Sequence, residues 1–245
     1  GDGDMDLVFA TDYLDRLYLN DGQGNFTDVT NLQMPQSGGR TESLTFGDID
    51  GDGDLDLVMA TIQTCYFGCW ANNNVVCIND GFGSFTPQTQ FGDSSAKQIA
   101  LADVDGDGDL DALLANISWS GGNGQDELWL NNGAGVFSNA TATHMPAHLA
   151  DSYGIVMGDI DGDGDVDAVS DVIYINAGSG VFTLGAPGPS GRAALGDVDG
   201  DGDLDLVSSD PWPATGRNRL WLNDGSGQFT DVSLARMPIS HTSSP

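Results

Sequence analysis

Glutamate is nearly missing from this chain: of 37 acidic residues in 245 positions, only Glu42 and Glu127 are not aspartate. Surface solubility does not explain the bias, because either carboxylate would serve it; turns and metal sites are what favour the shorter acid. Basic residues are scarce as well, Lys97 and six arginines, which leaves a formal charge of −30. So few cations are available to neutralise phosphates that nucleic acid and anionic membrane surfaces are disfavoured as partners. No apolar run approaches the roughly 20 residues that span a bilayer, and no signal peptide stands at Gly1. The chain therefore reads as soluble, and as processed or excised from something longer. The three cysteines, Cys65, Cys69 and Cys77, are too few for a disulfide scaffold and lack zinc-site spacing. Helical periodicity is almost absent, as are a Ser-His-Asp order and a Gly-rich phosphate loop. The 39% hydrophobic content is enough for a substantial core, so disorder is not expected.

What the chain has instead is repetition. An acidic motif recurs as "GDIDGDGDLDLV" (47–58), "ADVDGDGDLDAL" (102–113), "GDIDGDGDVDAV" (158–169) and "GDVDGDGDLDLV" (196–207), with a shortened copy, "GDGDMDLV", at 1–8. Each copy is followed by a second signature: "LYLNDGQGNFT" (17–27), "VCINDGFGSFT" (76–86), "LWLNNGAGVFS" (128–138), "IYINAGSGVFT" (173–183) and "LWLNDGSGQFT" (220–230). Two signatures in fixed order mark a repeat architecture of five units, approximately 1–39, 40–94, 95–150, 151–189 and 190–245. Short apolar runs alternate with Gly, Asp and Asn clusters, the pattern of strands joined by tight turns. In the second unit, strands are expected near 43–46, 55–60, 75–78 and 85–89, giving one four-stranded antiparallel sheet per unit. The fold class is therefore all-β, a propeller of four-stranded blades, with a β-solenoid as the alternative. Aligning 241–245 with 40–44, and Gly1 with Gly51, leaves only positions 45–50 without a counterpart. Residues near 239–245 are thus expected to supply the first strand of the first blade and close a five-bladed ring; a segment of a larger propeller is the other arrangement.

The acidic loop spells D-x-D-x-D-G-x-x-D. A calcium ion takes six to eight hard oxygen ligands at about 2.3–2.6 Å, and carboxylates on alternate residues of a tight turn can converge on one. In the second unit the expected side-chain ligands are Asp48, Asp50, Asp52 and Asp56, with Asp54 offering its backbone carbonyl and Gly53 permitting the turn. The same spacing gives Asp103, Asp105, Asp107, Asp109 and Asp111; Asp159, Asp161, Asp163, Asp165 and Asp167; and Asp197, Asp199, Asp201, Asp203 and Asp205. The first copy keeps only Asp2, Asp4 and Asp6, so its site should be empty or weak. An EF-hand is excluded, because its twelfth position is Met59, Leu114, Ser170 or Ser208 here, inside a strand. Aspartate and glycine also favour turns without any metal, but turns do not require five carboxylates in register. These loops and the shortened copy hold 23 of the 37 acidic residues, so most of the net charge is ligand charge. Each pair of neighbouring carboxylates costs on the order of 1 kcal/mol even in high dielectric. Folding and metal binding should therefore be linked, with calcium holding the turn between the first two strands of each blade.

"GDxDGDGDLDLV" followed by "LWLNDGxGxFTDV" resembles the FG-GAP and VCBS repeats found in integrin α-subunit propellers and in many secreted bacterial proteins. Phe46-Gly47 keeps part of the integrin-like signature in the second unit, whereas Gly-Ala-Pro does not stand in its usual place, so the VCBS-type branch is the closer match. The resemblance implies a calcium-stabilised propeller, extracellular or at the cell surface, serving adhesion or ligand binding. The family also includes carbohydrate-binding lectins and some polysaccharide lyases, so fold alone leaves the chemistry open. Extracellular calcium suits loops of this type.

Cys77 aligns with Tyr18, Trp129, Tyr174 and Trp221 and reads as a packing residue, leaving Cys65 and Cys69 as either a disulfide or two free thiols. The loops between second and third strands vary most, and they emerge opposite the acidic loops. They carry Tyr13, Tyr66, Trp70, Trp119 and Trp212, which suit sugar stacking or a protein contact, or else anchor their own loops. His144 and His148 lie in a connection opening on that same face, where a lyase would need a base. The expected role is a binding, adhesion or assembly module for a protein or carbohydrate ligand. A lyase-like polysaccharide enzyme and a self-associating subunit of an extracellular filament or matrix are the alternatives. No catalytic residue is assigned.

Overall fold

The computed structural model describes residues 2–12, 14–35, 40–62, 74–92, 96–118, 123–189, 191–209 and 218–237. Five antiparallel sheets follow one another along the chain. The first contains β1 (Leu7–Phe9), β2 (Arg16–Asn20) and β3 (Phe26–Asp28), followed by the single-turn helix α1 (Thr30–Gln33). The second contains β4 (Arg40–Gly47), β5 (Asp56–Ile62), β6 (Asn74–Asn79) and β7 (Phe85–Phe91). The third contains β8 (Ala96–Ala102), β9 (Asp111–Asn116), β10 (Glu127–Leu130) and β11 (Ser138–Asn139), with α2 (Thr141–His144) after it. The fourth contains β12 (Val156–Gly158), β13 (Asp167–Val169), β14 (Val172–Asn176) and β15 (Phe182–Pro187). The fifth contains β16 (Ala193–Gly196), β17 (Asp205–Ser208), β18 (Arg219–Asn223), β19 (Phe229–Asp231) and then α3 (Ser233–Arg236).

Strands pair in sequence order within every sheet, so each is a four-stranded meander, except that the first has three described strands. Its expected fourth strand, from residues near 239–245, lies outside the described residues. First strands of consecutive sheets stand side by side, β4 against β8, β8 against β12, and β12 against β16, as around the axis of a propeller.

Four apolar clusters hold the blades together, and every one straddles a seam. Leu17 and Met34 of the first blade pack with Leu57, Met59 and Cys77 of the second. Val58, Val76 and Phe91 of the second pack with Ile99, Ala112 and Leu114 of the third. Leu113, Leu128 and Met145 meet Ile155, Tyr174 and Phe182, and Ile160 and Ile173 meet Leu206. The core is thus a series of sandwiched sheet faces. Among the described residues no such cluster joins the fifth sheet to the first.

A polar strut crosses three of the seams. The asparagine closing each third strand donates from Nδ2 to a backbone carbonyl in the acidic loop of the preceding blade: Asn131 to Ile49 (2.8 Å), Asn176 to Val104 (2.8 Å) and Asn223 to Ile160 (2.7 Å). Asn20 and Asn79 instead reach their own blades, at Met5 and Leu55. Asn131 is 6% exposed, so replacing it leaves a buried carbonyl without a donor. Asn131→Ala should therefore lower stability by about 1–3 kcal/mol in urea denaturation, and a loss below about 0.5 kcal/mol would contradict the strut.

Candidate metal loops and the opposite face

In each complete loop the first aspartate folds the turn. Asp48 accepts the Gly51 N–H at Oδ1 (2.9 Å) and the Gly53 N–H at Oδ2 (3.0 Å), and Asp103, Asp159 and Asp197 do the same to their own glycines. Gly53 has φ +93, a conformation that a side chain rarely adopts. The last aspartate ties the loop to the sheet. Asp56, 0% exposed, accepts the Ile49 N–H at one oxygen (2.9 Å) and the Asn79 N–H at the other (2.8 Å). Asp111, Asp167 and Asp205 repeat that arrangement.

These contacts bring three carboxylates together in each loop. Asp48, Asp50 and Asp56 offer oxygens within 4.8 Å of one another, as do Asp103, Asp105 and Asp111; Asp159, Asp161 and Asp167; and Asp197, Asp199 and Asp205. The four groups can each hold a metal ion. The fifth-position aspartates, expected as further ligands, fall outside them: Asp52, Asp107, Asp163 and Asp201 accept the N–H of Asp54, Asp109, Asp165 and Asp203. Those seventh-position carboxylates pack against the hairpin glycine of their own blade. A Cβ on Gly81 would lie 2.6 Å from Asp54 Oδ2, and one on Gly133 2.5 Å from Asp109 Oδ2. In the first copy Asp6 accepts the Asn20 N–H and Asp2 the Asp4 N–H, with no three-carboxylate group among the described residues.

Electrostatics show what the loops lack. Burial pushes the Asp111 and Asp167 carboxyls up to about 6, and the charges of neighbouring loop aspartates push them further in the same direction. Asp56, Asp105 and Asp161 are also raised, in each case first by burial. Asp50 Oδ1 is buried without a hydrogen-bond partner. Converging, destabilised carboxylates with an orphaned oxygen are a donor set for a hard cation, which would replace the missing positive charge.

The opposite face carries a polar network that the motifs do not announce. Asp126, 1% exposed, accepts the Asn116 N–H at Oδ1 (3.0 Å), while its Oδ2 receives Ser152 (3.0 Å), Ser170 (2.9 Å) and Tyr174 (3.2 Å) hydroxyls. Ser152 and Ser170 also reach Asp171 Oδ1, and Asp171 Oδ2 meets His148 Nε2 at 2.8 Å. His148 thus serves the seam between third and fourth blades. His144 is bonded through Nδ1 to Thr143 Oγ1 (2.7 Å). Asp15 plays the part of Asp126 at the first seam, accepting from Thr11 N and Thr41 Oγ1. One signal was available in the sequence: Asp15, Asp126, Asp171 and Asn218 stand just before a third strand, and Asn74 opens one. Tyr13, Tyr66, Trp70, Trp119, Trp212, Cys65 and Cys69 lie outside the described residues. Cys77 is fully buried, and burial pushes its thiol up to about 12, as befits a packing residue.

A strand-built repeat protein with one acidic loop per blade is the class that fold and loops define. The model of the FG-GAP-like repeat matches residues 1–59, 115–170 and 197–244, about two thirds of the chain. The protein belongs to the FG-GAP-like repeat family. No curated protein matches it significantly. Among solved structures it is similar to an Agrocybe aegerita lectin described as specifically recognising non-reducing terminal N-acetylglucosamine, at 21% identity and TM-score 0.57, over 92% of this chain and 61% of that one. It is also similar to the V. cholerae biofilm matrix protein Bap1, at 17% identity and TM-score 0.50, over 94% of this chain and 36% of that one. The chain thus spans less than two thirds of either structure's length, and at these identities the likeness is one of fold. No helix among the described residues is long and apolar enough to cross a membrane.

The Asp126 network gives a pH dependence separate from the metal loops. Burial, with the nearby Asp171 charge, pushes Asp126 up to about 6 from an ordinary 3.8. The folded protein therefore holds this proton more tightly than the unfolded chain, and the group adds stability as pH falls from about 7 to about 4. Asp126→Asn should remove that slope: relative to the parent it gains on the order of 2 kcal/mol at about pH 7 compared with about pH 4. Urea denaturation with metal saturating reads the difference, and an equal offset at both pH values would count against proton uptake here.

Proposed function

We propose that this protein is an extracellular calcium-binding propeller module that presents the face opposite its acidic loops to a protein or carbohydrate partner. The observation that carries the calcium reading is the fourfold recurrence of three converging carboxylates, each group anchored by a buried aspartate. All donors are hard oxygens, the set that suits calcium rather than a thiolate- or imidazole-seeking metal. Asp48, Asp50 and Asp56 and their counterparts would hold the ion. Bound calcium supplies positive charge at the point where the first and second strands turn.

The division of labour between faces supports the binding role. Acidic loops and hairpins share one face and are committed to each other through the glycine contacts. The strand ends that lead into the variable loops stand at the other face, and loops of that kind are where recognition residues are commonly placed. The likeness to a lectin and to a matrix protein agrees with a module that binds or assembles outside the cell. His148 is engaged with Asp171 in a seam contact, which gives it a structural use.

Two measurements test the reading. With free calcium about 100-fold above Kd, each site adds about 2.7 kcal/mol, so chelation should lower Tm by about 5–10 °C per site emptied. An unchanged Tm on adding chelator would reject calcium as a structural ion. A glycan array with product analysis should show glycans retained unchanged; turnover to unsaturated ends would point to a lyase instead, and self-association without glycan binding to a matrix subunit.

A further inference from the structure

The four complete loops are not equivalent. In the loops at 48–56, 103–111 and 159–167 the first two clustered carboxylates are half-buried, while Asp197 and Asp199 of the last loop are exposed. The residue after the first aspartate follows the same division: Ile49 is 1% exposed, Val104 3% and Ile160 1%, but Val198 is 52% exposed. The carbonyls of the first three accept the Asn131, Asn176 and Asn223 struts. The last loop therefore stands on an uncovered flank among the described residues.

A cation already stands at this loop. Arg236, the last residue of α3, donates from Nη1 to Asp199 Oδ2 at 3.2 Å. Asp199 is one of the three clustered carboxylates. In the third and fourth blades the same carboxylate instead accepts the N–H two residues on, Asp107 to Asp105 and Asp163 to Asp161, both at 3.3 Å. The helices at the matching place in other blades end on Gln33 and His144. Among the described residues, no other complete loop is met by a guanidinium.

We propose that Arg236 is a tethered competitor for the metal at the 197–205 loop, so that this loop is the weakest of the four calcium sites and the first to empty. The inference rests on the calcium reading above. An entering ion must displace the guanidinium from Asp199 or sit beside a like charge, and either lowers its net attraction to the cluster. Because the ion pair is exposed, the effect is modest, about fivefold in affinity. As calcium falls, the fifth blade releases its ion while the three seam-covered loops keep theirs. The flank of that blade becomes the part of the molecule that responds to calcium concentration.

Calcium titration by calorimetry tests this on the parent chain and on Arg236→Gln, Arg236→Lys and Asp199→Asn. The parent should show three tighter sites and one weaker. Arg236→Gln should tighten the weaker site alone by about fivefold, Arg236→Lys should leave it weak, and Asp199→Asn should remove it. Four indistinguishable sites in the parent, or a weak site unmoved by Arg236→Gln, would overturn the inference while leaving the calcium reading intact. No calcium binding in any of the four proteins would overturn the calcium reading itself.

Discussion

The last aspartate of each acidic loop, Asp56, Asp111, Asp167 or Asp205, is held at 0–1% exposure while accepting one N–H from its own loop and another from the third strand. A carboxylate in that position is costly unless its charge is met, and two backbone donors meet only part of it. A cation entering among the neighbouring carboxylates would meet the remainder. The same two bonds fix the loop against the third strand, and with it, in the third, fourth and fifth blades, the asparagine that reaches into the preceding blade. Loop charge, strand pairing and blade docking are therefore coupled in those three blades through one side chain each.

That coupling explains why the acidic face is so repetitive and the opposite face is not. On the acidic side, a change at one position disturbs a turn, a possible ligand and a seam together. The hairpin glycines are bound by the same constraint: φ at Gly133 is +71, and its missing side chain leaves room for Asp109. On the other side, the residue at the entry to a third strand serves as a hydrogen-bond acceptor. Aspartate serves at Asp15 and Asp126, and the asparagine at Asn74 accepts from the Thr61 N–H in the same way.

Much of this was legible in the sequence because the signals repeat. The strand expected at 43–46 is β4 at Arg40–Gly47, and that at 75–78 is β6 at Asn74–Asn79; the differences are at ends, where pairing continues past the apolar run. The three carboxylates at first, third and ninth positions are the ones brought together. The fifth was not separable from them by spacing alone, since alternation places it on the same turn and only its bond to the N–H of the seventh residue distinguishes it; the seventh, expected to offer its backbone carbonyl, turns its carboxylate to a hairpin glycine. The Asp126 network was hidden for a different reason. An isolated aspartate before a strand reads as an ordinary turn residue, and its partners Ser152 and Ser170 are 26 and 44 positions away.

The seams also differ in how well they are filled. Between the second and third blades Phe91 lies stacked on Phe137 at 4.8 Å and edge-on to Trp129 at 5.6 Å, within a cluster that includes Val76 and Ala112. At the seam of the fourth and fifth blades the aligned residues are Gly188, Phe229, Trp221, Ile173 and Leu206. The larger Ile173 and Leu206 take up part of the space left by the missing ring, a volume exchange that packed cores tolerate. The exchange is incomplete. A small cleft of about 40 Å³, partly open to solvent, stays unfilled among Ile173, Pro187, Pro189, Leu206, Trp221 and Phe229. Trp129 Nε1 donates to Glu127, whereas Trp221 Nε1 is buried without an acceptor because Arg219 stands in the matching place, 5.8 Å over its ring. An unfilled cleft and an unmet donor both subtract from docking energy. The fifth blade, which carries the exposed loop, is thus also attached through a seam less completely filled than that of the second and third blades, so a change in its loop charge meets less opposing stability there.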